Sequence, residues 1–502
     1  MSNEGGSSRA EAAIPEFRQI LGHPGPLWML FMSEFWERFA FYGIRWALVL
    51  YIVAQFHDGA ASGQADANLT YGSYLALVYA AAILGGYVAD KYLGYQRAIL
   101  TGAVFMAAGL FLIAVPDPTV FKFGLATIIC GNGMFKPIIS TLVGKLYAVS
   151  DERRDSGFTI FYMGINAGAF VAPLLTGWLA SSVFGTATTP AYQYVFIASG
   201  VGMLVSLVWF YFGRHQLKGI GAPEHQATGG HRVLLVALGA LLMIPVVYFL
   251  LAVGGRALQG VLTVMFLALI AVLMAEGIRE GRVARDRVIA MMIIFTFNIL
   301  FWMFFEQAGS SFTFLADQIV DRDLGGFTFP TAWFQSVNSV AIIALAPVMA
   351  WVWVKMAARH VNPSIPRKFG LGLLFNGLAF LLLMFTLSKL VSVDGKIPFW
   401  TLTSVYVIQS VGELCLSPIG LSMVTKLAPV RLVGLGMGGW FLSTGIGNNL
   451  SGIFASEVSG ETGMTTASAL SGYTFGFWAL LGAGLVLFVA APLVNKLMHG
   501  VK

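Results

Sequence analysis

Fourteen apolar runs, each long enough to cross a bilayer as a helix, leave this chain few folds to choose from. They fall at roughly 27–56, 70–90, 97–115, 121–146, 154–180, 191–213, 232–252, 257–278, 288–308, 330–356, 368–388, 399–425, 432–455 and 471–498. About 20 predominantly apolar residues make one spanning helix. The 502 residues are 57% hydrophobic and only 11% charged, whereas a soluble domain carries about 25% charged residues. The 58 glycines fit a membrane chain, in which glycine is frequent. The reading is an all-α polytopic membrane protein, and an even number of spans puts both termini on one side.

Loop charge orients it. Of the 30 Lys and Arg, about 22 fall on one side, among them Arg153, Arg154, Arg214, Lys218, Arg279, Arg282, Arg285, Arg287, Arg359, Arg367 and Lys368. About 5 fall on the other: Lys122, Arg256, Arg322, Lys389 and Lys396. Basic loops stay in the cytoplasm, so both termini are expected there. A net charge of +6 spread over short loops is no nucleic-acid surface, and no nucleic acid is expected as a partner. Cys130 and Cys415 lie inside apolar runs, so no disulfide framework is legible. The seven His are isolated, so no metal site is legible either. The first 25 residues are polar and lack a secretory apolar core. They read as a cytoplasmic segment, 1–25, with the first span as its own insertion signal.

The chain repeats itself. GNGMFKPIISTLVGKL (131–146) and GELCLSPIGLSMVTKL (412–427) share Gly131/Gly412, Pro137/Pro418, Ile138/Ile419, Val143/Val424, Lys145/Lys426 and Leu146/Leu427 at an offset of 281. Gly164-Ile165 and Gly445-Ile446 keep that offset. Phe35, Trp36, Phe39 and Gly43 match Phe301, Trp302, Phe305 and Gly309 at an offset of 266. A repeated half-protein marks a transporter built of two pseudo-symmetric bundles. The expected plan is a six-helix bundle over 26–213 and a cytoplasmic linker over 214–231. An inserted, lipid-facing helix pair follows over 232–287, then a second six-helix bundle over 288–502.

Within the first span, SEFWERFAFYGIR (33–45) holds Glu34, Glu37, Arg38 and Arg45. An ionisable side chain at bilayer depth costs about 2.5–3.5 kcal/mol and needs a partner or a wet cavity. Glu34 and Arg38 are one helical turn apart and Arg45 returns to the same stripe, about 16 Å long. A Glu–Arg pair that merely stabilises the bundle accounts for two of these charges, not four. Other spans carry Lys136 beside Pro137, Glu306 followed by Gln307, Ser310 and Ser311, Glu413, Asn166 and Asn338. Either asparagine alone could serve as an interhelical hydrogen bond. By the repeat, Glu413 aligns with Asn132, one turn from Lys136, which places an acid and a base at similar depth in facing halves. Four carboxylates (Glu34, Glu37, Glu306, Glu413) face three cations (Arg38, Arg45, Lys136). If all seven share one cavity, one carboxylate is unmatched and tends to hold a proton, while arginine stays charged. Such an acid is a proton-coupling device. In GGYVADKYLGYQR (85–97), Asp90 ends a span on the basic side, where it could latch a neighbouring loop or simply be a solvated helix end.

GxxxD followed by Lys and Gly resembles the loop motif of the major facilitator superfamily. EFWERFAFYG (34–43) resembles the ExxERFxYYG motif of the proton-dependent oligopeptide transporter family, with Phe41 at the first Tyr. FTIFYMGINAGAF (158–170) and FWMFFEQAGSS (301–311) are similar to two further signatures of that family, and the extra helix pair is typical of its bacterial members. The resemblance spans nearly the whole chain. It implies a major facilitator fold, a bacterial inner-membrane location, alternating access, and uptake of di- and tripeptides with protons. No cofactor, no enzymatic activity and no obligate protein partner are expected. It further implies that Glu34, Glu37 and Arg38 couple protons and that Arg45 pairs with Glu306 as a gate. Lys136 and Glu413 would bind peptide and close the inner side. Asn166 and Asn338 would hydrogen-bond the peptide, Tyr42 and Tyr79 would line the cavity, and Trp440 would form a side-chain pocket. Phe41 has no hydroxyl to contribute.

Physical chemistry points to the same cargo. A short peptide is a zwitterion: Lys136 with the two arginines can take its carboxylate, and Glu413 its ammonium. A carrier of nitrate, a drug or another small anion would not need Glu413. A membrane sensor would need an output domain larger than the 214–231 connection.

Overall fold

The computed structural model describes residues 14–148, 151–222 and 231–501. Sixteen helices account for nearly all of it: α1 (Gly25–Arg45), α2 (Ala47–Phe56), α3 (Gln64–Val88), α4 (Tyr95–Leu112), α5 (Pro118–Lys145), α6 (Arg154–Trp178), α7 (Tyr192–Gly213), α8 (His231–Ala252), α9 (Gly255–Glu280), α10 (Arg282–Phe305), α11 (Ser311–Phe314), α12 (Gln335–Ala358), α13 (Ile365–Lys389), α14 (Phe399–Leu427), α15 (Val433–Ser459) and α16 (Thr466–Leu497). Among the described residues, twelve helical segments are long and apolar enough to cross a bilayer, and thirteen with α1 and α2, which form one span bent by 44°. The expected fourteenth, 432–455, is α15. It is 27 residues long, but seven glycines and Asn448 and Asn449 dilute its apolarity.

The two halves pack alike. In the first, α1 packs on α6 and α7, α5 on α3 and α4, and α4 on α7. In the second, α10 packs on α15 and α16, α14 on α12 and α13, and α13 on α16. Matching α1 to α10, α3 to α12, α4 to α13, α5 to α14, α6 to α15 and α7 to α16 reproduces every one of these contacts. The halves meet through α3 on α15 and through α6 on α12, two seams that the same matching interchanges. The inserted helices run over His231–Ala252 and Gly255–Glu280, and α10 begins at Arg282, a few residues before the expected 288; within the linker, 223–230 lie outside the described residues. The pair straddles the halves, α8 on α5 and α9 on α10 and α15. Leu234, Leu235, Leu238, Leu242 and Phe249 stay exposed on α8, as a lipid-facing helix requires.

At the end opposite the basic loops the seams are tight. A Cβ on Gly72 would lie 2.7 Å from the Gly452 Cα, and one on Gly445 3.0 Å from the Ala76 carbonyl. Small residues let membrane helices approach this closely. At the basic end the halves are splayed. A vestibule of about 2070 Å³ opens there between α5–α6 and α12–α14, with Lys145, Arg154 and Lys368 on its walls. In the turn between α5 and α6, hydrogen bonds from the Arg153 side chain and then from its backbone N–H hold Asp151 below its ordinary carboxylate range. Asp90 is exposed and has no ion pair among the described residues.

Candidate substrate chamber

Both helices that begin a half break at the same level. The first breaks at Trp46, where Thr176 Oγ1 accepts from the Trp46 indole (3.1 Å) and shares its one proton between the Ala172 carbonyl one turn back (2.8 Å) and the Gly43 carbonyl (3.3 Å). A side chain satisfying a carbonyl of the helical ladder is a recognised cause of such a bend. The second, α10, gives way after Phe305 to a 3-10 turn over Glu306–Gly309. Broken helices at membrane depth are the usual way such folds present charge to a central site. Here they present Arg45 and Glu306 to each other, Nη2 to Oε2 at 2.6 Å. Arg45 also donates through Nε to the Tyr71 hydroxyl (3.2 Å). Gly309 makes room for that hydroxyl, which would lie 2.1 Å from a Cβ there.

Below this pair lies a chamber of about 560 Å³. Glu34, Arg38, Tyr42, Arg45, Tyr79 and Lys136 line it from the first half, and Glu306, Asn338, Glu413 and Trp440 from the second. It shares Ser140, Phe161, Tyr162 and Ile165 with the vestibule, so the chamber adjoins the vestibule. The first half contributes three cations and one carboxylate and the second half two carboxylates, so opposite walls carry opposite net charge.

Six of the seven intramembrane charges line the chamber, and the expectation that all seven do is corrected for Glu37. Glu37 is fully buried behind Arg38. It accepts from Arg38 Nε and from Nη2 (2.6 Å), and from Asn132 Nδ2 (3.3 Å). Glu37 is three residues from Glu34, which turns it off the stripe and against α5. Arg38 thus serves two carboxylates, with Glu34 Oε1 at 3.3 Å from its Nε. Glu34 Oε2 is buried with no partner.

Lys136 and Glu413 do not form an ion pair. The Lys136 ammonium sits over the Tyr79 ring at 4.2 Å and the Phe41 ring at 5.9 Å. Glu413 Oε2 accepts from Asn338 Nδ2 (3.3 Å), which also donates to Ser410 Oγ (2.8 Å). The acid and the base are therefore apart at the basic end while Arg45 and Glu306 are joined towards the other, which is what a chamber closed on one side and open on the other requires. Phe41 gives its ring to Arg38 (4.9 Å) as well as to Lys136, a use that needs no hydroxyl. Asn166 lies on the vestibule wall rather than on the chamber wall, its amide bonded to the Tyr162 carbonyl one turn back (3.0 Å). Trp440 packs edge-on against Phe295 and Phe369 and fills the space left by Gly420, where a Cβ would meet its ring at 2.1 Å.

The POT family model matches residues 96–469. The chain belongs to the POT family. Among curated proteins it is similar to "Peptide transporter YePEPT" of Yersinia enterocolitica subsp. palearctica serotype O:3 (strain YE-P4), at 36% identity over 475 residues, 89% of this chain and 90% of that one. It is also similar to "Dipeptide and tripeptide permease B" of Yersinia enterocolitica serotype O:8 / biotype 1B, at 31% identity over 488 residues, 96% and 97% of the two chains. Among solved structures, a peptide transporter POT in complex with sulfate matches with a TM-score of 0.81 at 34% identity over 97% of this chain and 98% of that one. A POT family transporter in complex with 5-aminolevulinic acid matches with a TM-score of 0.79 at 28% identity, over 95% and 98%. The fold is that of POT transporters, and the chain is a multi-pass membrane protein whose relatives are peptide transporters.

In this POT-family chain several site residues escaped sequence reasoning. Tyr71, which holds Arg45, sits in an ordinary apolar run with no charge beside it. Trp302, Phe305, Phe441 and Thr444 line the chamber. Thr444 lies one turn from Trp440, and Trp302 one turn before Glu306, so helical spacing from an assigned residue was the available signal.

Proposed function

We propose that this POT-family chain is a proton-coupled symporter that imports di- and tripeptides across the bacterial inner membrane by alternating access, with both termini in the cytoplasm. The observation that carries the reading is the single chamber whose two walls bear opposite net charge, three cations and one carboxylate from one half against two carboxylates from the other. A peptide adds at most about 3.6 Å per residue, so a tripeptide is about 11 Å long at most. A volume of about 560 Å³ lies within the range of small-ligand sites. The peptide carboxylate goes to Lys136, Arg38 and Arg45, and its ammonium to Glu413, held by Asn338. Tyr42, Tyr79 and Trp440 flank its side chains.

The coupling step follows from charge. With the basic end taken as cytoplasmic, the molecule is closed outside and open inside. A proton arriving from outside neutralises Glu306, removes the attraction that holds Arg45, and lets the outer ends separate. Peptide entering the chamber engages Lys136 and Glu413, and closure of the inner side brings the two halves together around it. On return, Glu306 loses its proton to the cytoplasm and recaptures Arg45, the arrangement seen here. Glu34, whose second oxygen lacks a partner, and Glu37 compete for Arg38, which makes them the second place where a proton can be carried. The deciding experiment places purified protein in liposomes with an inward proton gradient and labelled dialanine. Accumulation that an uncoupler abolishes supports the reading, and accumulation indifferent to the uncoupler removes proton coupling.

A further inference from the structure

Two adjacent asparagines on α15 are treated in opposite ways. Asn449 uses its whole amide: Ser73 Oγ donates to Oδ1 (3.3 Å), and Nδ2 donates to the Gly255 carbonyl (2.7 Å) and to Gln259 Oε1 (3.0 Å). Asn448 is 1% exposed, and neither Oδ1 nor Nδ2 has a hydrogen-bond partner among the described residues. It lies one turn beyond Thr444 on the chamber wall and one turn before Gly452, which touches Gly72 of α3. A buried amide with no partner is rare and costly.

The surroundings give this a direction. The outer end is closed by neutral groups reaching across both seams. On the α3–α15 side Gln64 bonds Gln318 Oε1 (3.1 Å) and the Met464 N–H (2.8 Å). Asn68 bonds the Ala455 carbonyl (3.1 Å) and Ser459 Oγ (3.0 Å). On the α6–α12 side Trp333 donates to the Leu174 carbonyl (3.2 Å) and Ser336 to that of Phe170 (2.8 Å). Among the described residues at this end, Arg45–Glu306 is the one ion pair that joins the halves. The closed seam also leaves Asn68 Oδ1 and Gln335 Oε1 buried and unpaired. Water would satisfy each of these atoms once the outer ends separated.

We propose that Asn448 is a positioning residue for the transport cycle: its unsatisfied amide destabilises the outward-closed state, so that the seam held by Asn68 and Gln64 reopens readily. The inference rests on the alternating-access reading above. It assigns opposite signs to two amides of the seam, because the two bonds from Asn68 Nδ2 across to α15 outweigh its own unpaired Oδ1. Asn68 holds the outer gate shut, and Asn448 pushes it open.

The test is a distance measurement in proteoliposomes. Native Cys130 and Cys415 are replaced, and spin labels are placed through Gln55→Cys on α2 and Glu461→Cys beyond α15, both exposed positions. Asn448→Leu, which keeps the branching of the side chain and removes the amide, is expected to raise the closed-to-open ratio of the outer end about tenfold, the worth of one unsatisfied buried group. Asn68→Ala is expected to lower it by a similar factor. Asn448→Leu should also lower the maximal rate of dialanine uptake more than it changes KM, because it acts on the return step rather than on the chamber. Asn448→Ala repeats the measurement should the leucine variant fail to fold. An unchanged or more open distance distribution in the Asn448 variants overturns the proposal. If the wild type moves no dialanine while the two asparagines still shift the distances in opposite directions, the seam inference stands and the peptide reading falls.

Discussion

Arg45 is held by Glu306 and Tyr71, and Arg38 by two carboxylates, so of the chamber's charges only Lys136 and Glu413 have no ion-pair partner among the described residues, and they are the readiest to meet cargo. Removing one member of a desolvated charge contact costs about 2–5 kcal/mol. Lys136→Ala is therefore expected to weaken dipeptide binding by about 30-fold or more, and N-acetylation of the peptide, which deprives Glu413 of its ammonium, by a comparable factor; equilibrium binding to purified protein checks both. Glu306→Gln keeps the shape but cannot cycle a proton. Gradient-driven uptake should fall at least about tenfold, while counterflow exchange of labelled for unlabelled dialanine persists. Gly309→Ala is a subtler probe, since its methyl would collide with the Tyr71 hydroxyl and push it off Arg45. Its uptake should fall although no charge is lost.

At the scale of the helix, glycine spacing decides how close the halves come. Gly438, Gly445 and Gly452 recur every seven residues on α15, and all three face α3 through Ile83, Ala76 and Gly72. Gly452→Leu would drive its side chain into the Asn68 carbonyl, where even a Cβ comes within 2.6 Å, and should hold the outer seam apart. The expected result is a protein stalled with its outer end open, read as rapid labelling of an outer-end cysteine together with loss of uptake. The broken helices are the second device of this scale. Thr176→Val removes the hydroxyl that accepts from the Trp46 indole at the α1–α2 bend, and should lower thermal stability by about 1–3 kcal/mol through the buried N–H left unpaired.

For the molecule as a whole, the sign of the pH effect follows from carboxylate chemistry. A buried acid takes up a proton as the outer pH falls, so uptake should rise on acidifying the outside and vanish when an uncoupler equalises the two sides. The inserted pair contributes no chamber residue, and most of α8 faces outward. Excising it and joining α7 to α10 through a flexible linker should leave proton-driven dialanine uptake measurable, with lower yield of folded protein; complete loss in a well-folded variant would assign the pair a role in the cycle.

Hydropathy, loop charge and the 281-residue repeat were enough to determine a two-bundle helical membrane protein, because bilayer thickness and the cost of buried charge act on each segment independently of the rest. The same cost made Glu34, Arg38, Arg45, Lys136, Glu306 and Glu413 stand out one by one. Which of them meet was decided only by the tertiary structure. Glu37 turned away from the chamber, Asn166 fell on the vestibule wall, and Lys136 and Glu413 stood apart while Arg45 and Glu306 joined, since pairing depends on how two rigid halves are tilted. Tyr71 carries no local signal, and Asn448 only the one it shares with Asn449 beside it: a hydroxyl or an amide at membrane depth acquires its meaning from the neighbour that another helix brings to it, or withholds.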